Sequence, residues 1–397
     1  MRRAQKTSHR STPLAGERPR VLRVSHSSVV ESWRERDRSL RRRGIDVRLV
    51  TAARWNEGGA LVTCHPGTDD FVTVAKTFGH HPNLFLFDPR PLWRLTGADD
   101  FDLVDLHEEP YGLAAAEVVF LCWLRGRMRR RRPPVVVSSA QNVLKRFPPP
   151  FRWTERLVLA RAAGVYACNH DAADIVCRKG FTGIVSEVPL GVDVDHFRPA
   201  DREPPRRRLR VGYVGRLTLQ KGVTYLLDAV AGDQRLELEL YGSGPEEEHV
   251  RARCATLAIE DRVSVRGHVD ASMLPAVYRR FDVLAVPSLA LPGLVEQFGR
   301  VVVEAQASGV PVVASSVGAL PDVVGDAGLL VRPADPHALG AALARVLDEE
   351  GLWTDLRSRG LANAQRYSWA AVADLHLELY RRVWAAVDQT AGLGSAG

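Results

Sequence analysis

Apolar residues along this chain come in short runs closed by glycine, proline or small polar clusters, and longer stretches with helical spacing separate the runs. Val21-Leu-Arg-Val-Ser25, Asp46 to Thr51, Asp102-Leu-Val-Asp-Leu106, Val135 to Ser139, Gly164-Val-Tyr-Ala-Cys168 and Ile184 to Val188 form one series of predicted strands. Val211-Gly-Tyr-Val-Gly215, Leu236 to Tyr241, Val263 to Val269, Asp282 to Ser288, Val310 to Ser315 and Gly328 to Val331 form a second. Between them, Glu31 to Arg43 reads as a charged helix ended by Gly44, Val223 to Ala231 as an apolar helix, and Val301 to Ser308 as a buried helix stopped by Gly309. Ser368-Trp369 caps an amphipathic helix running to about Trp384. The alternation predicts an α/β chain with two doubly wound parallel sheets. The expected organisation is a basic, disordered leader over 1–19, a first domain over 20–200, a Pro- and Arg-rich linker at Asp201 to Arg208, and a second domain over 201–369.

A length of 397 residues supports two such cores. The five cysteines (Cys64, Cys122, Cys168, Cys177, Cys254) show no C-x-x-C pair, which argues against a metal cluster or disulfide framework and for a reducing, cytoplasmic setting. No apolar run approaches the ~18 residues of a membrane span. Charge is uneven: residues 1–200 carry 32 basic and 22 acidic side chains, residues 201–397 carry 22 and 25. The surplus gathers in Arg41 to Arg43 and in Arg125, Arg127 and Arg129 to Arg132, beside Leu121, Trp123 and Leu124. Such a run suits peripheral contact with an anionic membrane at its inner face, and solvated Arg-rich loops are the competing reading. No helix-turn-helix, aromatic RNA platform or zinc finger accompanies the charge, so no nucleic-acid partner is expected.

The chemistry concentrates in the second half. Glu296 and Glu304 stand eight positions apart around Phe298-Gly299. One uninterrupted helix would turn them about 80° out of phase, so Glu296 is placed in a loop and Glu304 about one turn inside a helix starting near Gly299. Free N–H groups at that helix start attract an anion, and a carboxylate suits a vicinal diol. Gly215, Arg216, Lys221 and Gly222 close a strand and open a helix, the place where open α/β sheets bind ligands, with two cations able to hold a diphosphate. Gly242-Ser-Gly244 is not a dinucleotide fingerprint, because Glu247 stands where a third glycine is needed. It reads equally as a close backbone passage beside a ligand or as a plain turn. Asp193-x-Asp195 reads as structural, and no metal or other cofactor is expected.

In order and spacing, Gly215-Arg216-x4-Lys221-Gly222, Gly242-Ser-Gly244-Pro245, Gly267-His268-Val269, Glu296-x7-Glu304, Ala305-x-Ala307-x-Gly309-x-Pro311-Val-Val and Gly328-Leu-Leu-Val resemble the C-terminal half of retaining GT-B glycosyltransferases of family 4. Pro189-Leu-Gly191-Val-Asp193-x3-Phe197-x-Pro199 is similar to the family as well. The resemblance implies a GT-B fold, two Rossmann-like domains facing across a cleft, with a C-terminal helix at about 370–388 packing back on the first. It implies a donor nucleoside-diphosphate sugar held by Gly215, Arg216, Lys221, Gly244, Val269, Glu296, Phe298, Gly299 and Glu304. Within that set, Glu296 would take the sugar hydroxyls, Glu304 the ribose diol, Phe298 and Gly299 the sugar and phosphate through backbone N–H groups, and Val269 the base. It implies metal-independent hexose transfer, with retention, to a glycan, lipid-linked or small-molecule acceptor.

The first half departs from the commonest family pattern. Ser25-His26-Ser27-Ser28 replaces a Gly-Gly pair, and Ala140-Gln141-Asn142 stands where many relatives have a histidine. His107, at a strand end, is the remaining candidate general base, with Glu108 expected to fix its ring. His107 and Glu296 are thus the candidate catalytic residues, and Glu108, Gln141 and Asn142 the candidate acceptor-side residues. Two other readings stay open: a nucleotide-sugar epimerase or hydrolase of the same fold, and a sugar-nucleotide-binding protein without catalysis.

Overall fold

The computed structural model describes residues 18–57, 60–79, 81–98, 101–129 and 132–394. The chain divides into two compact units, Met1–Val188 with Val372–Gly397, and Pro189–Ala371. The division falls ahead of the Asp201–Arg208 stretch, because the Gly191-Val-Asp193 segment is tied to the second unit. Val192 donates its N–H to Tyr367 O at 2.8 Å, and a Cβ on Gly191 would lie 2.1 Å from the Trp369 ring. Most of the expected leader, and Arg130 and Arg131 of the basic run, lie outside the described residues.

The first unit is built on strands β1 (Arg20–Val24), β2 (Asp46–Ala52), β3 (Val72–Ala75), β4 (Leu103–Leu106), β5 (Val135–Ser139), β6 (Gly164–Ala167) and β7 (Ile184–Glu187). They form one parallel sheet in the order β7-β6-β5-β4-β1-β2-β3. A parallel sheet covered on both faces needs apolar strands, and β4 and β6 are buried at every position. Two charges interrupt that pattern. Arg23 and Asp105 are opposite each other in register on β1 and β4, fully buried, with Arg23 Nη1 donating to Asp105 Oδ2 at 2.8 Å. Asp37, on the helix Glu35–Arg42, lies 3.0 Å from Arg23 Nε. The C-terminal helix Trp369–Gly394 docks on the same cluster, where Tyr380 donates its hydroxyl hydrogen to Asp105 Oδ2 at 2.5 Å. The hydrogen bonds of Arg23 and Tyr380 to the buried Asp105 carboxylate tie this helix to the sheet.

The second unit carries β8 (Leu209–Val214), β9 (Leu236–Tyr241), β10 (Val263–Gly267), β11 (Val283–Val286), β12 (Val312–Ser315) and β13 (Gly328–Val331). Their parallel order is β10-β9-β8-β11-β12-β13. Side chains alternate between two cores: Val283 and Ala285 join Leu226, Leu238 and Leu343 on one face, and Leu284 and Val286 join Tyr278, Val302 and Phe298 on the other. Counted from the first strand of the unit, the order is 3-2-1-4-5-6, the doubly wound arrangement that places ligands where the order reverses, beyond the ends of β8 and β11.

Candidate active site

At that reversal the structure brings together residues far apart in sequence. After β8, a turn of 3-10 helix at Leu219–Lys221 carries Lys221; after β11, Ser288 leads into the loop holding Glu296. Lys221 Nζ donates to Glu296 Oε2 at 2.5 Å, and Ser288 Oγ donates to the same oxygen at 3.1 Å. Lys221 and Glu296 retain 26% and 12% side-chain exposure, so the pair is reachable from solvent. Gly318 clamps the loop from behind, since a Cβ there would lie 2.3 Å from Glu296 O, and Ala319 N donates to that oxygen at 3.0 Å. Burial, and then the Glu296 charge, push the neighbouring Tyr213 phenol well up, so it stays neutral and donates to Arg216 O at 2.8 Å. The Arg216 side chain is exposed and, among the described residues, has no carboxylate partner.

Glu296 therefore lies in a loop, and Glu304 lies inside the helix Arg300–Ala307, with Gly299 at its N-cap at φ 83°. A Cβ at Gly299 would lie 2.6 Å from Leu320 Cδ2, so the αL turn and the packing both require glycine. The first N–H groups of this helix lack intrahelical acceptors. The Phe298 ring is buried edge-on against Tyr367 at 5.5 Å, so its side chain is not open to a ligand. Glu304 is not open as the diol reading expects. It is 3% exposed, accepts from Tyr278 Oη at 2.8 Å and from Arg300 Nη2 at 3.0 Å. A carboxylate has about four acceptor sites, so these two donors leave about two of them. Gly244 packs on the segment after β8, where a Cβ would lie 2.3 Å from Leu217 O.

In the first unit, β1 and β4 flank the corresponding reversal. His26 follows β1, and His107, Glu108 and Glu109 follow β4. Glu108 does not hold His107. Its carboxylate accepts from His26 N at 2.7 Å and lies 2.6 Å from His26 Nδ1, in a pocket where the His26 ring meets Trp55 at 4.5 Å and Phe85 at 5.2 Å. The His107 ring is oriented instead by Tyr166, whose Oη lies 3.0 Å from Nδ1. Tyr166 spends its hydrogen on Asp105 Oδ1 at 2.7 Å, so Nδ1 carries the hydrogen and donates it, leaving Nε2 as the acceptor. Burial, and then the Arg23 charge, hold the imidazole pKa well below its usual value. Gln141 is used internally: Lys179 Nζ donates to its Oε1 at 2.6 Å, and its Nε2 donates to Val143 O at 2.9 Å. Neither group of its amide is aimed outward as the acceptor reading expects. Asn142, half-buried beside it, also has interactions of its own.

Sequence reasoning missed Ser288, Tyr278, Arg300, His26, Tyr166 and Glu109. Ala140 N donates to Glu109 Oε1 at 2.7 Å, and burial pushes the Glu109 carboxyl up to about 7 against the pull of that N–H and of Lys179. Two signals were readable: Arg300 precedes Glu304 by four helical positions, and Arg23 and Asp105 sit as charges within apolar strands. Among the described residues no cluster of three metal-ligating side chains occurs, and no helix is long and apolar enough to cross a membrane.

Two parallel, doubly wound sheets, each with polar side chains at its reversal, define an α/β protein of two Rossmann-like units. Family models sharpen it: residues 208–349 match "Glycosyl transferases group 1" and residues 32–196 match "Glycosyltransferase Family 4". The chain belongs to the family 4 glycosyltransferases, with the GT-B fold. D-inositol 3-phosphate glycosyltransferases of Segniliparus rotundus and Corynebacterium glutamicum are 36% and 37% identical over 214 and 218 residues, covering 50% and 49% of this chain and 46% and 51% of theirs. The chain thus spans about half the length of the curated relatives it matches. Among solved structures, sucrose-phosphate synthase from Thermosynechococcus elongatus is 21% identical with a TM-score of 0.64, over 93% of this chain and all of that one. HepE of Anabaena in complex with UDP is 20% identical with a TM-score of 0.66, over 91% and 99%.

Proposed function

We propose that this protein transfers a hexose from a nucleoside-diphosphate sugar to a hydroxyl of a glycan, lipid-linked or small-molecule acceptor, with retention and without a metal. The observation that carries the proposal is the contact of Lys221 with Glu296 at the β8–β11 reversal, next to the Gly299 helix start. Donor binding sets the diphosphate on Arg216, Lys221 and the helix N–H groups, with Glu296 freed to accept sugar hydroxyls and Glu304 the ribose diol. As the C1–O bond breaks, charge accumulates on the departing diphosphate, where fixed cations stabilise it more than they stabilise the intact donor. The acceptor oxygen then attacks C1 from the leaving-group face. His107, neutral and with Nε2 as acceptor, is the base of this proposal. Five unpaired cysteines support a cytoplasmic setting.

The test is nucleotide release from a panel of UDP-, GDP- and ADP-sugars, with and without acceptor. The inositol phosphate in the relatives' names and the UDP-glucose bound by HepE give the first acceptor and donor to try. Acceptor-dependent release with a glycosylated product supports transfer. Release without acceptor points to hydrolysis, isomerised donor to epimerisation, and saturable binding without turnover to a non-catalytic binding protein.

A further inference from the structure

The first unit contains a cavity that the transfer reading does not use. Its volume is about 950 Å³, within the ~300–1,000 Å³ range of small-ligand sites. Ala162 and Ala163, just before β6, and Gly180 and Gly183, just before β7, form part of its wall, and their small size leaves the space. Its wall also takes in Leu144 to Phe147, in the loop after β5, and the helix Phe151–Arg161. Six cations line it: Lys145, Arg146, Arg152, Arg156, Arg178 and Lys179. The one lining acid, Glu155, is committed to Lys179. Among the described residues the other five cations have no carboxylate partner, and all five are exposed. Five like charges around one concavity make a positive field that favours an anion there.

The helix Phe151–Arg161 shows what kind of anion. Its inner side buries Glu155, Val158 and Leu159. Its outer side presents Arg152 and Arg156, one turn apart, next to Trp153 and Leu157, also one turn apart. Trp153 is 61% exposed and Leu157 39%; Leu144, on the cavity rim, is 45% exposed. A soluble phosphate has no use for an exposed tryptophan beside its cations. A bilayer surface does, because its anionic headgroups lie at the depth where tryptophan and leucine enter the interface.

We propose that this cavity seats the phosphate of an anionic phospholipid at a bilayer surface, with Trp153 and Leu157 inserting into the headgroup layer beside it. The site holds the protein at a membrane and leaves transfer chemistry untouched, so it stands or falls apart from the proposed function. The full chain is sedimented with vesicles of phosphatidylcholine alone and of phosphatidylcholine with phosphatidylglycerol. The wild type partitions to the anionic vesicles only, less so at high salt. Arg152→Gln/Arg156→Gln weakens partition by about fivefold per cation, roughly 25-fold together. Trp153→Ser/Leu157→Ser weakens it as well, and Arg206→Gln/Arg207→Gln, exposed arginines of the second unit, do not. Unchanged thermal midpoints show that the variants fold. Equal binding to both vesicle types, or anionic binding that survives loss of Arg152 and Arg156, overturns the proposal. So does a thermal shift with inorganic pyrophosphate, abolished in the arginine variant, when no vesicle is bound: the cavity is then a site for a soluble anion.

Discussion

Lys221 and Glu296, 75 residues apart, meet at 2.5 Å with Ser288 on the same carboxylate oxygen. The cation and the acid neutralise each other here; under the proposed function a bound donor would turn the lysine to phosphate and the carboxylate to hydroxyls. Lys221→Ala is expected to lower kcat/KM by about 10² or more, the range seen when one stabilising group is removed from a developing anion. The double variant with Glu296→Gln should lose less than the product of the single losses, because neither single change leaves its partner in its native state. Near wild-type turnover of Lys221→Ala removes this pair from the donor site.

Glu304 calls for a gentler substitution than alanine. Its carboxylate satisfies the hydroxyl of Tyr278, a side chain with no exposure, and burial with the Glu304 charge drives that phenol's pKa well up. Glu304→Ala strands the hydroxyl and should cost about 1–3 kcal/mol of stability. Glu304→Gln keeps an acceptor for Tyr278 and should lose donor affinity with a smaller drop in thermal midpoint. Equal destabilisation by both variants, with donor affinity unchanged, assigns Glu304 to structure alone.

His107 owes its tautomer to Tyr166 and Asp105. His107→Ala should slow transfer by about 10², the usual worth of a general base, with donor binding intact. Tyr166→Phe releases Nδ1 and should lower kcat by less than that, with KM for the donor unchanged. Unimpaired turnover of His107→Ala removes the ring from the mechanism.

Much of the fold was legible because strand-length apolar runs and their closing residues are local signals. The helix Val223–Ala231 and the strands Leu236–Tyr241, Val135–Ser139 and Gly328–Val331 fall where the pattern puts them. Glu31 to Arg43 does not form one helix. Its first turn is 3-10, Glu31–Arg34, because buried Arg34 donates to Ser28 O at 2.9 Å and Val29 O at 3.3 Å. Tertiary contacts there override helical propensity. The loop position of Glu296 and the helical position of Glu304 followed from their spacing, whereas the partners of Glu108 and Gln141 did not. Glu108 lies 82 positions from His26 and Gln141 lies 38 from Lys179, and no local pattern encodes such pairs.

Transfer should survive excess chelator. Under the proposed function Arg216 and Lys221 would supply the positive charge that a divalent ion would otherwise bring to the diphosphate. Full loss with chelator, restored by magnesium or manganese, contradicts that assignment.

Glu109 gives a pH signature that needs no substrate. Burial raises its carboxyl from 4.5 to about 7, so between those values the folded chain keeps a proton that the unfolded chain has released. Its contribution to stability is complete below about pH 4.5 and is lost as pH rises through about 7, where a buried carboxylate replaces the acid. Glu109→Gln keeps a neutral acceptor for Ala140 N at every pH. The variant and the wild type should melt alike near about pH 5, and the variant should melt higher near about pH 8, after the wild-type carboxyl has ionised. Thermal midpoints followed across that range check the sign. A constant difference between the two proteins, or a wild type that gains on the variant as pH rises, means that Glu109 is ionised throughout and that its place at the end of β4 carries no penalty.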